Sequence, residues 1–174
     1  MAAGAVICAT GMAGMSAMMI MIILYQNAHG IVYHRISLIN AIFMLGLTAG
    51  SFFSSRARKP RPDLIVGGAA ASVAGMLVLT LPGTGFLFWP LLAVFSFLCG
   101  ALFPSLFAAI GSDRYQESAS VLDAMDHFGS ITGSLLTVML FLPVLGIQGA
   151  LAAVSVILIP AAAIAWKVVG SDAG

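Results

Sequence analysis

The feature that most constrains this chain is its long stretches without charge. No acidic or basic side chain lies between Asp63 and Asp113, and none lies between His127 and Lys167. Of the 174 residues, 61% are hydrophobic and only 7% are charged, whereas a soluble domain carries roughly 25% charged residues. A soluble fold of this length has too little interior to hide so much apolar surface, so the surplus must face lipid. The composition therefore predicts an integral membrane protein.

The apolar runs also predict how the chain crosses the bilayer. A helix needs about 20 apolar residues to span the hydrocarbon core. No run alternates polar and apolar residues with the two-residue period of a strand, and an open sheet would leave backbone groups unsatisfied in lipid. The sequence therefore predicts an all-α fold: one transmembrane domain over residues 1–174, a bundle of about six transmembrane helices. The predicted spans cover about residues 5–25, 36–53, 64–81, 86–110, 119–145 and 149–168.

The first apolar run begins close to Met1, where a signal peptide would lie. It lacks a basic segment before it, and it is longer than the apolar part of a signal peptide. We therefore expect a retained helix. The abrupt start also suggests that the chain is a piece of something larger.

The basic residues are distributed unevenly between the predicted loops. Four of them crowd the loop between the second and third spans: Arg56, Arg58, Lys59 and Arg61. Arg114 and Lys167 fall on the same side of a six-span arrangement, and only Arg35 falls on the other. Loops rich in Lys and Arg stay in the cytoplasm. This distribution predicts a bacterial-type inner membrane protein with both termini in the cytoplasm.

Ionisable residues within a span usually face the interior of the bundle, because exposing them to lipid is costly. The densest group is Asp123, Asp126 and His127 in the fifth predicted span, and spacings of three and four place all three on one broad helix face. Two carboxylates beside an imidazole can bind a cation or pass a proton. Two alternatives stay open. The span begins later, near Gly129, and leaves the group at the interface, or the group makes hydrogen bonds for helix packing.

Other polar residues give weaker indications of chemistry. His29 and His34 flank the loop after the first span, but two histidines five apart in a loop match no usual haem or metal spacing. Cys8 and Cys99 lie in separate apolar runs and form no CxxC pair. We therefore expect no cofactor and no metal site. The net charge of +1 argues against nucleic acid, and the absence of a nucleophile, base and orienting group argues against an enzyme.

Two groups of short motifs resemble a known family. The first combines GIVYHRI at residues 30–36, FMLGLTAGS at residues 43–51, and Arg56. The second combines GALFP at residues 100–104, DHFG at 126–129 followed by Gly133, and LPVLG at 142–146 followed by GAL at 149–151. In this order and spacing the motifs resemble the membrane module of spermidine-synthase-like integral membrane proteins, and they span most of the chain.

In that family the membrane module is fused to an aminopropyltransferase-like domain. This sequence departs from the pattern, because Asp123 stands where the family usually has tyrosine, and the soluble synthase domain is missing. The resemblance therefore implies a membrane module, and we expect no aminopropyl transfer from this chain itself.

A broader likeness is to half of a major facilitator transporter. Gly46 and Gly50, followed by the basic cluster from Arg56 to Arg61, resemble the loop between the second and third helices of that superfamily. In those transporters the loop acts in conformational gating, so the resemblance implies a gating or topology role for this cluster. The acidic member of that motif is absent here.

These observations predict a transporter-like or accessory integral membrane module. The solute is expected to be small and cationic, because the only clustered charges within a span are acidic. Six helices make half of a typical transporter, so we expect a homo-oligomer or a partner membrane or soluble subunit, in addition to the lipid bilayer. Two other classes remain open: a non-catalytic membrane subunit that anchors a larger complex, and a haem-binding electron-transfer subunit.

The predicted topology is tested by single cysteines placed in two loops. With Ser55→Cys and Gly83→Cys, we expect a membrane-impermeant thiol reagent to label the two positions from opposite sides of the membrane. The third predicted span lies between them, and the basic loop beside Ser55 is expected to be cytoplasmic. Labelling of both positions from the same side would contradict the topology.

Overall fold

A computed structural model describes residues 2–30, 33–56, 61–81, 83–110 and 115–171 of the chain. Within these ranges the regular structure is entirely helical, which confirms the predicted all-α class. The long helices are α1 (Ala2–His29), α2 (Tyr33–Ser55), α3 (Pro62–Met76), α4 (Phe88–Ile110), α5 (Tyr115–Leu136) and α6 (Leu142–Ser171). Two short 3₁₀ turns, Leu77–Thr80 and Gly85–Leu87, lie between α3 and α4, and one π-helical turn, Thr137–Phe141, lies between α5 and α6.

Five helical segments of the described chain are long and apolar enough to cross a membrane, in agreement with a membrane protein. They are Gly4–His29, Tyr33–Ser55, Pro62–Thr80, Gly85–Ala108 and Ala119–Lys167. The last contains 49 residues, which would measure about 70 Å as one straight helix. That is more than twice the hydrocarbon thickness of about 30 Å. Length and composition therefore give five segments, of which the last combines the fifth and sixth predicted spans.

The long final segment contains a sharp backbone break at Gly146. Its φ of 67° and ψ of −176° are far from helical values, and glycine adopts positive φ without the steric cost that a side chain imposes. Before the break, Cys8 and Met12 of α1 lie against Gly129 and Gly133, so α5 runs parallel to α1. After it, the chain changes direction. Residues 145–148 share a cleft with the end of α1, and Leu158 shares a small cavity with the first half of α1.

The helices associate most extensively in three pairs: α1 with α5, α2 with α4, and α3 with α6. The first two pairs are parallel. In the α2–α4 pair, Gly46 lies against Ser96, and the Ser54 hydroxyl lies 2.6 Å from the Ser105 hydroxyl further along both helices. Helices α1 and α4 meet across the middle of the bundle, where Gly14 lies near Cys99.

Within each of the two parallel pairs, glycines allow the backbones of the two helices to come into direct contact. A side chain on Gly50 would collide with the backbone of Phe97, and one on Gly133 would collide with the backbone of Met12. Small residues at this spacing are the usual means by which membrane helices pack, since lipid provides no hydrophobic drive between them. The Ser16 hydroxyl adds an interhelical hydrogen bond of 3.1 Å to the Gly133 carbonyl.

These contacts predict unequal effects of two alanine substitutions. Gly50→Ala is expected to lower the free energy of unfolding by on the order of 1–3 kcal/mol, because the new methyl group forces α2 and α4 apart. Gly67→Ala in α3 is the matched control, since that helical position has open space around it. Thermal unfolding of the two purified variants measures the difference. Equal unfolding temperatures would contradict the close α2–α4 packing.

Candidate functional site

A cavity of about 330 Å³ lies among α1, α2, α4 and α5. Its volume falls at the lower end of the range of about 300–1,000 Å³ that is usual for small-molecule pockets. Helices α1 and α5 contribute the polar side chains Thr10, Asp123, Asp126 and Ser130. Helices α2 and α4 contribute mainly apolar side chains, including Phe43, Leu47, Leu102 and Phe103, together with Ser51 and Cys99.

The cavity lies away from the ends of the helices that line it. Leu47 precedes the end of α2 at Ser55 by eight residues, which corresponds to about 12 Å along a helix. Gly100 precedes the end of α4 at Ile110 by ten residues, or about 15 Å. The apolar segment that contains Asp126 begins at Ala119, seven residues earlier. The cavity is therefore about one third of the way across the helices.

Asp126 is half-buried and lies against α1. A methyl group on Gly11 would lie 2.6 Å from a carboxylate oxygen of Asp126, so the missing side chain at Gly11 makes room for this carboxylate. Ser130, one turn further along α5, lies near the same glycine. Among the described residues, none donates a hydrogen bond to the Asp126 carboxylate.

Asp123 and His127 occupy a more open position on α5. Their side chains are 67% and 71% exposed, and the Nδ1 atom of His127 lies 3.7 Å from a carboxylate oxygen of Asp123 and 2.9 Å from its carbonyl oxygen. Asp123 also lines the cavity, whereas His127 does not. Of the three predicted site residues, the structure thus brings the two carboxylates to one cavity and leaves the imidazole outside it.

The predicted basic loop is described only in part, because Arg58 and Lys59 lie outside the described residues. The Arg56 guanidinium lies 3.5 Å from the centre of the Phe52 ring, a cation–π contact. Arg61 donates two hydrogen bonds, of 3.3 and 3.2 Å, to the buried carboxylate of Asp63. These hydrogen bonds raise the pKa of Arg61 above its ordinary value.

Sequence reasoning did not single out Asp63. It occupies the first turn of α3 beside Pro62, where a negative charge is favourable against the positive end of the helix dipole. An acidic residue after a proline at the start of an apolar run is the signal that identifies it.

The two histidines near the end of α1 have different surroundings. His29 stacks on Tyr25 with ring centroids 4.4 Å apart, and Tyr25 also contacts Phe88 and Trp89. Arg35 donates a hydrogen bond of 2.9 Å to the Tyr25 hydroxyl. This is an aromatic cluster at a helix end, of the kind that anchors helices at the membrane interface. His34 is exposed on α2.

The π-helical turn carries a second feature that the sequence did not predict. Thr137 is fully buried, and its hydroxyl is the one buried side-chain polar atom of the described chain without a hydrogen-bond partner. A hydroxyl in a helix usually donates to the carbonyl four residues before it, as Thr132 does to Phe128. For Thr137 that carbonyl belongs to Gly133, which accepts from Ser16.

No protein family, curated protein or solved structure matches this chain. The resemblance to the membrane module of spermidine-synthase-like proteins, and the broader likeness to half of a major facilitator transporter, therefore stay predictions from the motifs. The function has to be argued from the geometry of the cavity.

The cavity predicts a difference in chemical accessibility between neighbouring positions on α5. In a background with Cys8 and Cys99 replaced by serine, we expect Ser130→Cys to react readily with aqueous 2-aminoethyl methanethiosulfonate, because thiols react as thiolates in contact with water. Phe128→Cys is the matched control, since Phe128 is 64% exposed on the outer surface of the bundle, where lipid excludes water. Equal reaction rates, followed by mass spectrometry, would contradict a hydrated cavity.

Proposed function

We propose that this chain is a transporter-like integral membrane module that binds a small cationic solute at Asp126. The observation that carries the proposal is the cavity among α1, α2, α4 and α5, with a half-buried carboxylate in its wall. Ionisable groups within membrane spans commonly mark the pathways of ions and substrates. An accessory role in a larger assembly is the alternative.

The sign of the solute's charge follows from the lining. Asp126 and Asp123 are acidic, and no basic side chain contributes to the described lining of the cavity. A carboxylate removed from water is stabilised by an opposite charge with good contact geometry. A cation gains that interaction here, whereas an anion would meet two carboxylates.

The proposed topology has six crossings. The change of direction at Gly146 supports two separate crossings within the segment Ala119–Lys167. With six crossings, the loop that holds Arg56, Arg58, Lys59 and Arg61 lies on the same side as both termini. The positive-inside rule then favours the cytoplasmic side of a bacterial-type inner membrane.

We further propose that the module works as a homo-oligomer or with a partner subunit. The cavity lies between α2 and α5, which pack on other helices rather than extensively on one another. Both present large apolar side chains outward, such as Phe53 and Ile131. Transporters commonly bind their solute between two such halves, so a second copy would close this side of the cavity.

The proposal is tested by electrical recording from proteoliposomes on a solid-supported membrane. Sodium, methylammonium, phenethylammonium and 1,4-diaminobutane chlorides are added singly. We expect at least one of these cations to produce a transient current with the wild-type chain, and Asp126→Asn to abolish it, because the amide keeps the shape of the carboxylate without its charge.

Thr132→Val is the control, since Thr132 lies on the same helix outside the cavity and its hydroxyl donates to the Phe128 carbonyl of that helix. We expect it to keep the wild-type current. A current that persists in Asp126→Asn would contradict the proposal. If the wild-type chain gives no current with any of the cations and co-purifies with a stoichiometric partner, the accessory role is favoured.

A further inference from the structure

We infer that the cavity takes an organic ammonium ion with a single charge and a compact apolar body. This inference rests on the proposed function and names the class of its solute. It follows from the difference between the two walls of the cavity: one wall carries polar and acidic side chains, and the other carries mainly apolar side chains.

The α1–α5 wall supplies the charge. Asp126 is the half-buried carboxylate, Ser130 lies one turn further along the same helix, and the glycines at positions 11 and 14 expose the α1 backbone beside them. An ammonium group has N–H donors that match a carboxylate and a hydroxyl oxygen. This wall therefore recognises the charged end of the ligand.

The opposite wall supplies a surface for an apolar group. Phe43 and Leu47 of α2 and Phe103 of α4 line the cavity on the helices opposite α1 and α5, and Met15 of α1 adds a thioether to the lining. Aromatic faces attract organic cations through their quadrupole, and thioethers adapt to the shape of an apolar ligand. A strongly hydrated inorganic ion gains little from these groups, because hard cations take most of their ligands from oxygen.

The position of the second carboxylate favours one charge over two. Asp123 lies at the open end of the cavity, is two-thirds exposed, and has His127 3.7 Å away. The inner part of the described lining holds no acidic side chain other than Asp126. A diamine that extends into the cavity would therefore place its second ammonium among Phe43, Leu47 and Met15, where burying an unpaired charge is costly.

Calorimetric titration of the purified full chain tests the inference with four probes. Phenethylammonium has both the charge and the apolar body, methylammonium has the charge alone, phenethyl alcohol has the body alone, and 1,4-diaminobutane has two charges. We expect phenethylammonium to bind at least about tenfold more tightly than each of the others, since only this ligand uses both walls.

Two variants test which wall binds the ammonium group and which binds the apolar body of the ligand. Asp126→Asn should abolish binding of phenethylammonium and leave the weak binding of the alcohol unchanged. Phe43→Leu should weaken binding of phenethylammonium several-fold and hardly affect methylammonium. Phe53→Leu is the matched control, because Phe53 lies on the same helix but is 63% exposed on its outer face. It should bind every probe as the wild type does.

The outcomes separate this inference from the proposed function. If methylammonium or the diamine binds as tightly as phenethylammonium and does so only with Asp126 intact, the cation function stands and the inference is wrong. If the alcohol binds as tightly as phenethylammonium and Asp126→Asn has no effect, both are wrong. If no cation binds, both are likewise overturned.

Discussion

The structure depends on backbone contact between parallel helices. Lipid tails are as apolar as leucine, so membrane helices gain little from burying one another and associate through close packing instead. Gly129 and Gly133 bring α5 against Cys8 and Met12 of α1. This contact fixes the rotation of α5 about its axis, and that rotation turns Asp126 toward Gly11. The position of the carboxylate is thus a consequence of packing several residues away from it.

The α2–α4 pair is built in the same way and forms the other side of the cavity. Each pair is parallel, each uses two glycines four residues apart, and each carries a serine hydroxyl that donates to a carbonyl of its partner helix. Because contacts within each pair are closer than those between the pairs, space remains where the pairs face one another. The cavity occupies this space, with polar side chains from one pair and apolar side chains from the other.

The sequence predicted the features that depend on local composition. The first four apolar runs correspond to candidate spans. It did not predict what depends on tertiary geometry. Gly146 looks like other small residues in an apolar run, and only its positive φ reveals the break. The spacing of Asp126 and His127 placed them on one broad helix face. Only the position of α1 shows that Asp126 lines the cavity and His127 does not.

The π-helical turn at Thr137–Phe141 changes how substitutions along this part of the chain must be interpreted. Such a turn contains one residue more than an α-helical turn, so every later residue is rotated by about 100° from the direction that an uninterrupted helix would give it. The face that meets α1 at Gly133 does not continue at intervals of three and four residues beyond Phe141. Residues 142–145, the single turn between the π-helical turn and the break at Gly146, therefore face about 100° away from the direction that the spacing of Gly129 and Gly133 would give them.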